Sequence, residues 1–206
     1  MRVAVVGGTG DFGLALARVL AASGEDVTIG SRDPERARDK AAEVGAAAGA
    51  ANAEAVQGAD LVVLATKAEA ALETAASLVT ALGETPVLCV ASELRFTKGG
   101  VFPGVEQLSI AERTQALLQG PVVAGLHSLA ASSLSHGPAD GDALVCGDDE
   151  DAKRLALDLA AKAVTGRALA SGPASSARSL EGLTAVIVNL NRRYKGHAGV
   201  RVTGLP

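Results

Sequence analysis

The feature that most constrains this chain lies at its start. Arg2 to Val6 (RVAVV) is a short β-branched run, Gly8-Thr9-Gly10-Asp11-Phe12-Gly13 follows, and an apolar repeat at Leu14, Ala17, Leu20 and Ala21 ends at Gly24. A buried strand that turns through glycines into a helix is the opening of a dinucleotide-binding βαβ unit. In that pattern Gly8 allows the tight turn, Gly10 lets the backbone approach a pyrophosphate, and Gly13 lets the helix pack on the strand. The free amides of the first helical turn then form an anion site.

The end of the second strand, Asp26 to Gly30 (DVTIG), bears on which nucleotide is bound. A protein specific for NAD places Asp or Glu about 20 residues beyond the loop to bond the ribose 2′-hydroxyl. Here Gly30-Ser31-Arg32 stands in that place. A hydroxyl and a guanidinium suit a 2′-phosphate, which an acidic group would repel. Arg36, one turn into the next helix, can face the same pocket. Asp33 precedes Pro34 and is read as the cap of a helix over Glu35 to Val44. The expected cofactor is NADP(H).

The rest of the chain alternates strands and helices. Strands are expected at Asp60–Thr66, Pro86–Ala91, Val122–Gly125, Ala143–Cys146 and Gly166–Ala170, with a short one near Ala47–Ala51 in an Ala- and Gly-rich stretch. Helices are expected over Glu69–Leu82, Ile110–Gln119, Asp149–Val164 and Ser175–Lys195. The last carries an apolar stripe at Leu180, Leu183, Val186, Ile187, Leu190 and Tyr194. Ser92–Gly104 and Leu126–Gly141 read as long irregular connections, which in a compact domain usually carry function. This order implies an α/β, Rossmann-like doubly wound and mostly parallel sheet with a small C-terminal α/β extension. One NADP-binding domain is expected over 1–206, with 1–125 as the dinucleotide-binding core and 126–206 supplying the second-substrate side and dimer contacts.

Composition narrows the function by exclusion. With 19 Lys and Arg against 23 Asp and Glu, the net charge of −4 lacks the basic excess that nucleic-acid binding needs. No run approaches the roughly 18 apolar residues of a membrane span, and the chain opens directly on a strand, so a cytoplasmic protein is expected. Cys89 and Cys146 sit in apolar runs and read as buried hydrophobes. The fourth residue after the only tyrosine, Tyr194, is Ala198, so the Tyr-x-x-x-Lys pair of short-chain dehydrogenases is missing. There is no G-x-S-x-G elbow, no Walker loop, and no metal-like spacing among His127, His136 and His197. A nicotinamide site without acid, base or metal fits direct hydride transfer between two cofactors, with the protein positioning the rings.

Several segments together resemble a known family. The opening RVAVVGGTGDFG, GSR at 30–32, LH at 126–127, CGDDEDAK at 146–153, SGPASSARSLEGLTAVIVN at 171–189 and NRRYKGHAGVRVTG at 191–204 are similar to the NADPH-dependent reductases of the deazaflavin coenzyme F420. The resemblance spans the whole chain and implies hydride exchange between the nicotinamide C4 of NADP(H) and C5 of coenzyme F420 as co-substrate, in a homodimer. It implies no bound flavin and no metal. By position it assigns Thr9, Ser31, Arg32 and Arg36 to the 2′-phosphate region and Gly10, Asp11 and Phe12 to the pyrophosphate. It places His127 and Leu129 at the two rings, Leu94 beside the nicotinamide, and Thr66, Ala68 and Leu72 along the cofactor wall after DLVVLAT. His127, just past a strand end, is given an orienting role as the one catalytic candidate. The chain departs from the family pattern at Lys67-Ala68, at Ser92–Arg95 and at Ser128–Ser132, all on the second-substrate side.

Arg192, Arg193, Lys195 and Arg201 form a basic segment in an acidic chain. They either complement a helix C-terminus or meet the acidic tail of the deazaflavin. The residues also leave room for an NADPH reductase of another flavin, a quinone or an imine, and for a non-catalytic protein that senses NADP(H) by binding.

Overall fold

The structure is a computed structural model describing residues 1–205. β1 (Arg2–Val6) leads through the glycine turn into α1 (Asp11–Ala22), β2 (Asp26–Ser31) and α2 (Pro34–Val44). β3 (Ala48–Ala51) runs into the short α3 (Asn52–Ala55), and β4 (Leu61–Leu64), α4 (Ala68–Leu82) and β5 (Val87–Cys89) follow. The hairpin β6 (Leu94–Thr97) and β7 (Gly100–Pro103) precedes α5 (Ile110–Gln115) and β8 (Val122–Gly125). α6 (Ala131–Leu134), β9 (Ala143–Cys146), α7 (Glu150–Ala163), β10 (Ala168–Ala170) and α8 (Ala177–Tyr194) complete the chain.

The eight-stranded sheet has the order β10-β9-β8-β5-β4-β1-β2-β3. From β3 to β8 all pairs are parallel; β9 runs antiparallel to β8, and β10 parallel to β9. The chain builds outward from β1 to β3, then crosses back to β4 on the other side of β1. This is the doubly wound, Rossmann-like arrangement, and its crevice opens where the winding reverses, at the carboxyl ends of β1 and β4. The central strands are buried Val, Leu and Ala runs because helices cover both sheet faces. One face packs α1, α2 and α7; the other packs α4, α5 and the start of α8. Cys89 and Cys146 are free thiols in this core. Among the described residues no helix is long and apolar enough to cross a membrane.

The ambiguous Ala- and Gly-rich stretch becomes edge strand β3 because small residues let α2 approach it. A Cβ on Gly49 would meet the Ala37 carbonyl oxygen at 2.2 Å. The larger departure is Ser92–Gly104. It is not irregular: β6 and β7 pair antiparallel across Lys98-Gly99, with the Thr97 hydroxyl accepting from Gly99 N–H and donating to Gly100 O. Strands of four residues are too short to display an alternation. Leu126–Gly141 likewise holds α6. Asn189 of α8 fixes the hairpin by accepting from Val101 N–H at 2.9 Å and donating to Val101 O at 2.7 Å.

Below the hairpin, Glu181 of α8 is almost fully enclosed. Its carboxylate accepts from Ile110 N–H at 2.6 Å and Glu93 N–H at 3.4 Å, and pairs with Arg178 at 2.8 Å. Burial raises its pKa, against the pull of those donors. Glu181 therefore ties the hairpin's entry and the start of α5 to the last helix. Glu181→Ala leaves buried donors unmet and should cost about 3 kcal/mol of stability, read as a lower urea midpoint with an unchanged slope. A midpoint within experimental scatter of the wild type would contradict this role.

Candidate functional site

The cleft starts at the glycine turn. Gly7, rather than Gly8, takes the left-handed conformation at φ +79°, so the tight turn lies one residue earlier than the spacing suggests. Gly8 instead sits where a Cβ would press on Val5 O at 2.7 Å and Ile29 at 2.9 Å. Gly13 is required by approach: a Cβ there would meet Gly7 O at 2.7 Å and Gly8 Cα at 2.9 Å. α1 therefore begins against the end of β1. Its N-cap, Gly10, supplies no side-chain cap, and the first intrahelical bond of the turn is Leu14 N–H to Gly10 O. The amides of Asp11, Phe12 and Gly13 are left for an anion.

Towards β2 and β3 the cleft opens to about 560 Å³, lined by Thr9, Gly10, Ser31, Arg32, Arg36, Asn52 and Thr66 among others. Asp33 caps α2 as expected, accepting from Glu35 and Arg36 N–H at 3.1 Å each. The cap spends its charge on backbone amides, leaving the pocket to the cations. Ser31 Oγ accepts from Asp33 N–H at 3.1 Å, which keeps its hydroxyl at the strand end. Arg36 leans over the turn and donates to Thr9 O at 3.4 Å. Arg32 is exposed and forms no ion pair among the described residues. Such a pair of guanidiniums beside a hydroxyl is a phosphate-binding set.

At the other end, past β4, β5 and β8, a smaller recess of about 200 Å³ is lined by Phe12, Ala65, Thr66, Lys67, Ala68, Ser92, Leu126, His127, Leu129 and Thr184, with Val90 and Ala91. Leu126 leaves β8 at φ +64°, unusual for a branched side chain, and Leu129 N–H closes the turn on Leu126 O at 3.0 Å. This swings His127 inward to 4% exposure. Its Nε2 lies 3.2 Å from Ala91 O; a carbonyl only accepts, so Nε2 carries the proton. Nδ1 is buried without a partner among the described residues. Burial lowers the His127 pKa to about 4, with the Ala91 contact opposing. The ring is neutral near pH 7, with Nδ1 as its unpaired acceptor. Thr184 of α8 fixes its backbone by donating to His127 O at 2.9 Å, and lies 2.9 Å from the Ser92 hydroxyl.

The cleft walls thus gather Thr9, Gly10, Phe12, Ser31, Arg32, Arg36, Thr66, Ala68, His127 and Leu129. Gly8, Asp11, Gly13, Leu72 and Leu94 stand outside them: Gly8 and Gly13 pack, Asp11 is exposed, Leu72 is part-buried along α4, and Leu94 leads into the hairpin. Reading the sequence missed Asn52 and Thr184 as wall residues, and placed Ser92 only within a stretch on the second-substrate side. Thr184 lies within a quoted block but carries no signal by type. CGDDED, distinctive in sequence, is structural: Asp149 caps α7 through Ala152 N–H, and Asp148 accepts from Ala174 N–H. Of the basic residues, Arg192 and Arg193 occupy the last turn of α8, while Arg201 pairs with Asp140.

The buried histidine gives a pH signature. An unfolded histidine titrates near 6.5, whereas folded His127 stays neutral down to about 4, so between those values the unfolded chain binds more protons. Its contribution is complete above pH 6.5 and is lost as pH falls towards 4, by up to about 1.4 kcal/mol per pH unit. His127→Asn should flatten the decline of the unfolding midpoint over that window; parallel pH profiles would refute this assignment.

The same end-to-end organisation is found in known proteins. A family model described as NADP oxidoreductase, coenzyme F420-dependent, matches residues 2–92. The F420-dependent NADP reductase of Methanothermobacter marburgensis is 36% identical, with 100% of each chain covered. That of Methanocaldococcus jannaschii is 34% identical, covering 100% of this chain and 99% of the relative. A crystal structure of a candidate F420-dependent NADP-reductase from Arthrobacter sp. FB24 superposes with a TM-score of 0.80 at 26% identity over 99% of both chains. A pyrroline-5-carboxylate reductase from Coxiella burnetii shares the fold, at TM-score 0.66 and 15% identity over 94% of this chain and 65% of that one. With its glycine turn, its cationic strand end and full-length identity above one third, the chain belongs to the F420-dependent NADP reductase family.

Proposed function

We propose that this chain moves a hydride between NADP(H) and coenzyme F420, with the 2′-phosphate at Ser31, Arg32 and Arg36 and the two rings meeting in the recess at His127. The observation that carries the reading is one crevice in which a cationic opening and a smaller, mostly apolar recess share Ala65, Thr66 and Lys67. The residues fit a dinucleotide at both ends. Free amides of α1 suit the pyrophosphate, and the orphaned Thr66 Oγ1 and His127 Nδ1 are buried polar atoms that a ligand can satisfy. When bound, NADPH and the deazaflavin supply the hydride chemistry themselves. The protein aligns the faces and excludes water. Ala65, Ala68, Val90, Leu126 and Leu129 wall the rings, and neutral His127 accepts one hydrogen bond to set ring orientation without trading a proton. Ser92 and Thr184, on the same wall, meet each other, and Thr184 holds the His127 backbone. With His127 neutral and its one proton held on Ala91 O, rate depends on ring alignment.

The chain is further read as a cytoplasmic homodimer. Three of its four aromatic rings stand on the surface, Phe96 at 67%, Phe102 at 42% and Tyr194 at 74% exposure, alongside Val186 and Leu190. They lie on the hairpin and on α8, which pack together, and such a patch marks an association surface.

Three outcomes are expected. Mixed with NADPH, the protein bleaches the deazaflavin absorbance of F420 and leaves flavin mononucleotide oxidised; the reverse preference, or no turnover of either, would overturn the reading. Arg32→Glu weakens NADPH binding about 100-fold, from the loss of a charge-assisted contact and added repulsion, and changes NADH binding little; equal losses would contradict the 2′-phosphate assignment. Light scattering gives twice the 20.5 kDa chain mass, and Phe96→Glu with Leu190→Glu shifts it to one; a wild-type monomer would dismiss the dimer.

A further inference from the structure

Asn52 is a polar wall residue of the larger opening to which the phosphate chemistry gives no task. It begins α3 directly after β3, and the β2–β3 register pairs Ser31 with Ala51, so Asn52 and Arg32 are the residues that follow the paired ends of β3 and β2. Its Oδ1 is buried and has no hydrogen-bond partner among the described residues, although the residue lines the cleft. The amide sits under the end of β2, where a Cβ on Gly30 would come within 2.9 Å of Oδ1. Gly30 therefore makes room for this side chain. A buried acceptor left unpaired costs stability unless a ligand donor meets it.

The donor is limited by chemistry. A 2′-phosphate offers acceptors at neutral pH and would repel Oδ1; its partners are the cations Arg32 and Arg36. The donors at that end of NADP(H) are a ribose hydroxyl and the exocyclic amine of adenine. β3 lies two strands, about 10 Å, from β1, where α1 receives the pyrophosphate. That offset matches the span from a dinucleotide's pyrophosphate across the adenosine ribose to its base. The geometry points to Asn52 as the residue that reads the adenine base, its Oδ1 accepting from the N6 amine. A side-chain amide is a good partner for the amine edge of adenine, the pairing by which Asn and Gln read that base in the DNA major groove. This inference rests on the NADP(H) reading above and adds the part of the cofactor that the phosphate set does not address.

Nicotinamide hypoxanthine dinucleotide phosphate tests it. This NADP analogue carries an oxygen in place of the N6 amine, so acceptor would face acceptor. By isothermal titration calorimetry, wild-type protein should bind NADP+ about tenfold more tightly than the hypoxanthine analogue. That comparison needs no variant. Asn52→Leu, which keeps the volume under Gly30, and Asn52→Ala should each lose about tenfold for NADP+ and bind both dinucleotides alike, with unliganded melting temperatures reporting that they fold. An undiminished preference for NADP+ in the variants, or no preference in the wild type, overturns the assignment. If wild-type protein binds neither dinucleotide, the NADP(H) reading falls and this inference with it.

Discussion

Everything in the site depends on how closely α1 abuts the end of β1. Gly13 over Gly7 and Gly8 leaves no space for a single methyl group. Any side chain there would push the helix outward and carry its free amides away from the crevice. The same approach sets Phe12 in the far recess. One steric constraint therefore fixes both the anion site and a wall of the ring site. The sheet order then extends the crevice in both directions from that point: β2 and β3 bring the cations and Asn52, while β4, β5 and β8 bring Thr66, Ser92 and His127.

The two halves of the crevice differ in physical character. Around Ser31 to Arg36 the surface is open and charged, so binding there is strong in proportion to charge and weakens with salt. Around His127 the walls are mostly apolar, and the one titratable ring is held neutral by burial. Such a ring contributes orientation rather than proton transfer. A chain with 2% aromatic residues does not stack its ligands between rings of its own. Three of its four aromatic side chains lie on the hairpin and last helix instead.

What the sequence made legible followed from strong local rules. A β-branched run, three glycines at fixed offsets, and Asp33 before Pro34 each have one good structural solution, and the fold met them within a residue or two. The glycine turn shows the limit of such rules: the spacing assigned the tight turn to Gly8, whereas Gly7 takes the left-handed position and Gly8 is held to glycine by the approach of Val5 O. Asn52 was hidden because Gly45 to Ala55 has neither a two-residue nor a helical period. Thr184 was hidden because its contacts span 57 residues to His127 and 92 to Ser92. The hairpin was hidden by brevity, since its packing is decided by Asn189, far along the chain.

The account holds that the protein aligns two rings and takes no part in moving protons at the reacting carbons. Isotope transfer tests this most directly. With NADPH carrying deuterium at the transferred C4 position, run in ordinary water, mass spectrometry of the reduced deazaflavin should find the label retained at C5 in a single turnover. Deuterium appearing in solvent, with an unlabelled deazaflavin product, would contradict direct transfer and require an acid or base acting at the reacting carbons.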